Sequence, residues 1–152
     1  MTGAPHLALP LLLALLVGCV EGPGLSDLPR GDAQAFADEV QPILGPGCAN
    51  PACHGSEQRP LELYATGLHR ADPADLYSDA PLHDLELERN QRAAEAMLAG
   101  LEAAADSPLL TKPLSPDHGG SEHRGGVQFV DPSELDYLTL LDWAEAALLE
   151  SP

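Results

Sequence analysis

Two cysteines and a histidine lie close together in the stretch Cys48-Ala49-Asn50-Pro51-Ala52-Cys53-His54. In this order, each thiol can form a thioether to a vinyl group of a haem, and the imidazole beside the second thiol can become the proximal iron ligand. The common attachment motif has two residues between the cysteines, whereas this stretch has four. The motif predicts covalently bound haem c, and therefore electron transfer.

The same residues support an alternative that involves no haem. In an exported protein, Cys48 and Cys53 can close a small disulfide loop, and His54 is then a surface residue. The chain would in that case be a haem-free lipoprotein module that interacts with a partner. A haem peroxidase is a third option; it needs an open iron position and a distal acid–base pair, and it is favoured if neither His118 nor His123 can reach the iron. No nucleophile elbow, phosphate-binding glycine loop or zinc-ligand quartet is present, so we expect no enzyme activity.

A six-coordinate haem needs a second axial ligand, and we predict His123. It lies in a glycine-rich loop that can fold over the open haem face, and Gly125-Gly126 lets the backbone turn sharply after the imidazole. His123 is also closer in sequence than His118 to Asp131, which we expect to cap the last helix. His118, which precedes another glycine pair, is the rival ligand.

We expect the other candidate ligands not to bind the iron. Met97 lies in an alanine-rich helical stretch, and we expect it to fill a gap in the core. His69 and His83 are expected to face solvent from loops.

The N-terminus resembles the export signal of a bacterial lipoprotein. Residues 7–17 form an apolar run that is too short to span a bilayer. Leu16-Val17-Gly18-Cys19 then resembles a lipobox, in which the cysteine is lipidated and becomes the mature N-terminus. We predict a signal peptide at 1–18, lipid on Cys19 and a tether at 19–33. Cys48 and Cys53 then remain as one pair.

The chain is strongly acidic, with 24 Asp and Glu residues against 7 Lys and Arg and a formal net charge of −17. This charge argues against nucleic acid and anionic lipid as partners, because both are negatively charged. It suits a redox partner protein with a basic surface, and it also suits solubility alone. Because this type of haem attachment takes place outside the cytoplasm, we expect a lipid-anchored protein of the bacterial cell envelope, on the periplasmic side or in the outer membrane.

Apolar spacing predicts a small all-α domain at 34–150, with about three helices and long loops. The first helix should cover residues 34–44 and end at Gly45-Pro46-Gly47, and the second should cover the alanine-rich residues 85–105. Asp131-Pro132-Ser133-Glu134 should begin the last helix, with Asp131 as its cap. Its apolar face should include Leu135, Leu138, Leu141, Ala144 and Leu148, widened by Tyr137, Leu140 and Trp143.

Five stretches follow one another in an order that resembles a known family. They are Phe36-x-x-x-Val40-Gln41-Pro42-Ile43-Leu44 with Cys48, Cys53 and His54-Gly55; Leu61-x-Leu63; Ser107-Pro108-Leu109-Leu110-x-Lys112-Pro113-Leu114; His123-x-Gly125-Gly126-x-x-Phe129; and Tyr137-x-x-Leu140-x-x-Trp143. Together they resemble the cytochrome c-like domains common in planctomycetes and myxobacteria, over residues 35–147.

The resemblance implies a small all-α fold in which the first and last helices cross beside the haem. It also implies a bacterial, exported electron carrier. With haem present, we expect a haem-sized cavity beside His54, lined by apolar side chains such as Phe36, Leu63 and Leu138.

Overall fold

The computed structural model describes residues 28–150, and over this range the protein is all-α, as predicted. Long irregular segments join the helices, and the described residues contain no strand beyond two isolated β-bridges. The predicted signal peptide, Cys19 and the tether up to residue 27 lie outside the described range. No helix within that range is long and apolar enough to cross a membrane.

The first helix, α1, consists of three consecutive segments. They are α-helical Ala33–Ala35, π-helical Phe36–Val40 and α-helical Gln41–Cys48. The Asp32 side chain caps the helix by accepting a hydrogen bond from the backbone N–H of Ala35 at 2.7 Å.

The prediction that this helix ends at Leu44 is wrong, because Gly45-Pro46-Gly47 continues it to Cys48. The N–H of Ala49 still donates to the carbonyl of Gly45 at 3.1 Å. Pro46 therefore removes one hydrogen bond from the helix without ending it. Cys48 therefore lies in the last turn of α1 rather than in a loop after it.

The second helix, α2, is Asp84–Ala96 and is shorter than predicted. Gly100, with a φ of 73°, turns the chain out of the helical direction, and the remaining alanines form only a 3-10 turn at Ala104–Asp106. A short helix, α3, follows at Pro108–Thr111, where the Ser107 hydroxyl caps it.

The last helix, α4, is Leu135–Leu149, and Asp131 is not its cap. The carboxylate of Asp131 accepts from the N–H of Ser133, and the carboxylate of Glu134 accepts from the N–H groups of Val130 and Asp131. These bonds hold residues 131–134 in a turn before the helix begins.

The buried face of α4 also differs from the predicted one. Leu135 is 78% exposed and Leu138 is 39% exposed, so both lie toward the solvent side. The side chains of α4 that are buried in the core are Tyr137, Leu140, Trp143, Ala144 and Ala147.

α1 and α4 pack against each other through aromatic side chains. The rings of Phe36 and Trp143 have centroids 5.3 Å apart and are tilted by 56°. Gly31 lies so close that a Cβ there would be 2.5 Å from the Trp143 ring. The N- and C-terminal helices are thus joined at one end of the core.

Two polar networks fix the middle of the chain. The buried amide of Asn90 accepts from the N–H of Tyr64 at 2.7 Å and donates to the carbonyl of Tyr64 and to Gln41, each at 2.8 Å. The Arg70 guanidinium pairs with the buried Glu86 carboxylate at 3.0 Å. These contacts join α1 and α2 to the extended segment that follows the cysteine motif.

Candidate haem-binding site

The cysteine motif folds into a compact loop directly after α1. The N–H of His54 donates to the carbonyl of Cys48 at 3.1 Å, and the N–H of Cys53 donates to the carbonyl of Asn50 at 2.7 Å. Gly55 closes the loop, because a Cβ at this position would collide with the Ala49 carbonyl oxygen. The last turn of α1, which carries Cys48, and this loop therefore keep both thiols and the imidazole on one short, hydrogen-bonded segment.

Both cysteines are free thiols and are half-buried. Burial, with a smaller contribution from nearby Cys53, raises the pKa of Cys48 to about 11. Cys48 is therefore a neutral thiol at neutral pH.

The orientation of His54 is set by the segment that follows it. Its Nδ1 lies 2.8 Å from the carbonyl oxygen of Leu61, and its own carbonyl accepts from the N–H of Leu63 at 2.8 Å. Leu61 and Leu63 are buried in the core, so this segment is firmly anchored. Since a carbonyl only accepts, Nδ1 carries the proton and Nε2 is the nitrogen available to a metal.

The environment also favours the neutral form of His54. Burial lowers its pKa, the hydrogen bond to the Leu61 carbonyl acts in the opposite direction, and His123 and Arg59 lower it further. A neutral imidazole is the form that ligates a metal.

A loop between α3 and α4 carries His123, and contacts between the two ends of this loop hold them together. Leu114 and Phe129 form a β-bridge, and the N–H of Ser115 donates to the Phe129 carbonyl at 2.9 Å. Further along, the N–H of Ser121 donates to the carbonyl of Thr111 at 2.8 Å. The loop therefore has a defined path although it contains little regular structure.

His123 is held at the tip of this loop by two glycines. Its Nδ1 lies 3.2 Å from the carbonyl oxygen of Gly126, whose φ of 78° makes the turn. A Cβ on Gly125 would lie 2.9 Å from the Cε1 of the imidazole. As in His54, Nδ1 faces a carbonyl and Nε2 is the remaining nitrogen.

The two imidazoles face each other across the two loops. The ring centroids of His54 and His123 are 5.9 Å apart, and the ring planes differ by 22°. With metal–nitrogen bonds of about 2.0–2.1 Å, as in zinc sites, and ring centres about 1 Å further out, two imidazoles on opposite sides of a metal have centres about 6 Å apart. The two rings are stacked, as in an aromatic pair, so both must turn their Nε2 atoms toward one iron in order to ligate it. Each ring has its Nδ1 at a carbonyl and its Nε2 left for a metal.

The donor set suits a haem better than a bare metal ion. Within residues 28–150, no cluster of three or more His, Cys, Asp or Glu side chains could hold a metal ion. The porphyrin supplies four nitrogens to a haem iron, so two imidazoles complete its coordination. His54 and His123 could be the axial ligands, and Cys48 and Cys53 could form the thioethers.

The other predicted candidates lie elsewhere. His118 faces Asp131, with Nε2 3.5 Å from the carboxylate, so the prediction that His123 is the better placed of the two relative to Asp131 is wrong. Met97 packs against the hydrophobic core, as expected. His83 is exposed, but His69 is only half-exposed, because it stacks on the Tyr64 ring at 4.7 Å.

A cleft of about 630 Å³ opens beside the two histidines, within the usual range of about 300–1,000 Å³ for ligand pockets. The prediction of an apolar lining from Phe36, Leu63 and Leu138 is wrong. Phe36 and Leu63 are buried in the core, and Leu138 does not line the cleft. The lining consists of Ala52, Cys53, His54, Arg59, Pro60, Lys112, Glu122, His123, Arg124 and Gly125.

Sequence reasoning missed the residues that hold the imidazoles in place and the cations of the cleft. The Leu61-x-Leu63 pattern is visible in the sequence, but residue types do not reveal that the Leu61 carbonyl contacts an imidazole. Arg59 and Lys112 are 53 positions apart, and only the folded chain brings them to one cleft.

No protein-family model, no curated protein and no solved structure matches this chain. The resemblance to cytochrome c-like domains therefore rests on the order of the matching residues alone.

Proposed function

We propose that this chain is an exported, lipid-anchored c-type monohaem protein that carries electrons. Cys48 and Cys53 would hold the haem covalently, with His54 and His123 as its axial ligands. The observation that carries the proposal is the facing pair of imidazoles, each with Nδ1 at a backbone carbonyl. It is supported by the thiols that precede His54, Cys48 in the last turn of α1 and Cys53 in the compact loop that follows.

Electron transfer fits this ligand set better than catalysis at the iron. With His54 and His123 both holding the haem iron, no position would be left for a substrate or peroxide. Two imidazoles also give a lower reduction potential than a histidine–methionine pair, because methionine ligation raises the potential. We propose a redox partner with a basic surface, since the chain carries a net charge of −17.

The export signal extends the proposal to cellular location. Lipid on Cys19 would hold the domain at the bacterial cell envelope, on the periplasmic side or in the outer membrane. This compartment is also where covalent haem attachment occurs.

Coexpression of the full chain with a bacterial haem-attachment system tests the proposal. We expect a red protein whose haem remains bound after denaturation, and whose ferric spectrum is six-coordinate and low-spin. Replacing both Cys48 and Cys53 with Ala should leave haem extractable, while His54→Ala should abolish the low-spin spectrum.

The rival predicts a different product from the same experiment. Colourless protein with a disulfide between Cys48 and Cys53 would overturn the haem proposal and support a haem-free interaction module. Mass measurement before and after thiol alkylation distinguishes the two, because the disulfide protects both sulfurs and haem adds a covalent mass.

A further inference from the structure

Three cations line the cleft beside His54 and His123, in a chain with few cations. Arg59, Lys112 and Arg124 are three of the 7 Lys and Arg residues, against 24 acids in the whole chain. Only one acid, Glu122, lines the same cleft. The cleft therefore has the opposite charge balance to the protein as a whole.

None of these three cations pairs with a carboxylate in the part of the chain that the structure describes. Arg70 and Arg92, by contrast, form ion pairs with Glu86 and Glu95. In so acidic a protein, unpaired cations grouped at one cleft point to an anionic ligand rather than to internal structure.

Two of the cations are attached to the loops that carry the proposed haem ligands. The Arg59 guanidinium donates to the carbonyl of Ala52, next to Cys53, at 3.3 Å. The Lys112 ammonium donates to the carbonyl of Glu122, next to His123, at 3.2 Å. These bonds occupy one donor of each cation and leave others for a ligand, since a guanidinium has five N–H donors and an ammonium three.

We propose that Arg59, Lys112 and Arg124 bind the two propionate carboxylates of the haem at the mouth of this cleft. The inference rests on the proposed function, because it requires haem between the two histidines. All three side chains are exposed, so each contributes modestly, and together they favour a ligand with two carboxylates over a neutral one.

Reversible binding provides the test. In the full chain with Cys48→Ala and Cys53→Ala, haemin has both carboxylates, whereas haemin dimethyl ester has neither. Soret-band titration should show tighter binding of haemin. Replacing Arg59, Lys112 or Arg124 with Gln should weaken haemin binding by about two- to five-fold each, and should leave binding of the ester unchanged.

Arg30→Gln is the matched control, because it removes one exposed positive charge away from the cleft. It should change neither affinity. Equal affinity for haemin and its ester, or an undiminished preference in the triple Gln variant, would overturn the carboxylate site and leave the haem proposal intact. Binding of haemin and of its ester should be abolished by His54→Ala. If it is not, or if neither compound binds, the proposed function fails and this inference fails with it.

The covalently loaded protein gives a second measurement. Nearby cations lower the pKa of a carboxylate, so the pH at which the reduction potential changes should rise in the triple Gln variant. A potential–pH curve identical to that of the parent protein would contradict the inference even if the apoprotein variants fold poorly.

Discussion

The imidazole of His123 lies directly over Gly125, so closely that a Cβ at residue 125 would be 2.9 Å from its Cε1. The ring must shift if any side chain is added there. Because this close approach positions the proposed distal ligand, a methyl group added at residue 125 should displace the imidazole and weaken its bond to the iron.

We therefore expect Gly125→Ala to weaken distal ligation without removing the ligand. The loop is exposed and the ring can move aside, so we expect part of the low-spin ferric spectrum, not all of it, to convert to a high-spin one. Gly47→Ala is the matched control, since its Cβ would meet only the Gln128 side chain at 4.0 Å. Equal spectra for the two variants would show that Gly125 does not position the imidazole.

His123→Ala should remove the distal ligand completely. The loaded variant should keep its covalent haem and change from a six-coordinate low-spin to a five-coordinate or water-bound spectrum. His118→Ala is the control, because its imidazole faces Asp131 at 3.5 Å, and it should leave the spectrum unchanged. The reverse pattern would move the assignment to His118.

Local features of the site were visible in the sequence, and contacts between distant segments were not. The spacing of Cys48, Cys53 and His54 is local, and so is the apolar repeat of α1. The hydrogen bond from Asn90 to the carbonyl of Tyr64 joins residues 26 positions apart, and only packing determines it.

The surroundings of His123 show the same difference between local features, which the sequence reveals, and contacts that depend on folding. The glycine pair after it was a sound local signal, because Gly126 adopts a φ of 78°. Asp131 does not cap the last helix, because its carboxylate and that of Glu134 stabilise a turn outside the helix. Helix starts that depend on competing side-chain caps are hard to read from residue types alone.

Cys19→Ala should release the protein from membranes, because the lipid would be the only anchor of the exported chain that we propose. Fractionation of cells that express the full chain measures this directly, and labelled palmitate should be incorporated into the parent protein alone. Cys53→Ala is a control for loss of a thiol and should remain with the membrane. Unchanged fractionation of Cys19→Ala would exclude the lipid anchor.

Arg70 should be important for stability. Its guanidinium is fully buried and pairs with Glu86 at 3.0 Å, and it also donates to the carbonyls of Ala80 and Pro81. Arg70→Met leaves a buried carboxylate without its cation, which costs about 3–5 kcal/mol in comparable sites. Arg92→Met should cost less, because Arg92 is partly exposed and the buried Glu95 carboxylate keeps its hydrogen bonds from Gly31 and Gln91. Urea unfolding compares the two, and equal losses would contradict the special role of Arg70.

The same ion pair predicts how stability depends on pH. Burial alone would raise the pKa of Glu86, but hydrogen bonds from Arg70 and from the N–H groups of Ala71 and His83 outweigh it and lower the pKa from 4.5 to about 2. The unfolded chain therefore takes up a proton at Glu86 at a higher pH than the folded chain does. The resulting stabilisation is complete above about pH 4.5 and is lost as the pH falls toward 2, and it amounts to no more than about 3 kcal/mol. Glu86→Gln should be less stable at pH 7 and should lose less of its stability between pH 5 and pH 2, as measured by urea unfolding across that range. Parallel stability–pH curves for the two proteins would show that Glu86 does not carry this acid sensitivity.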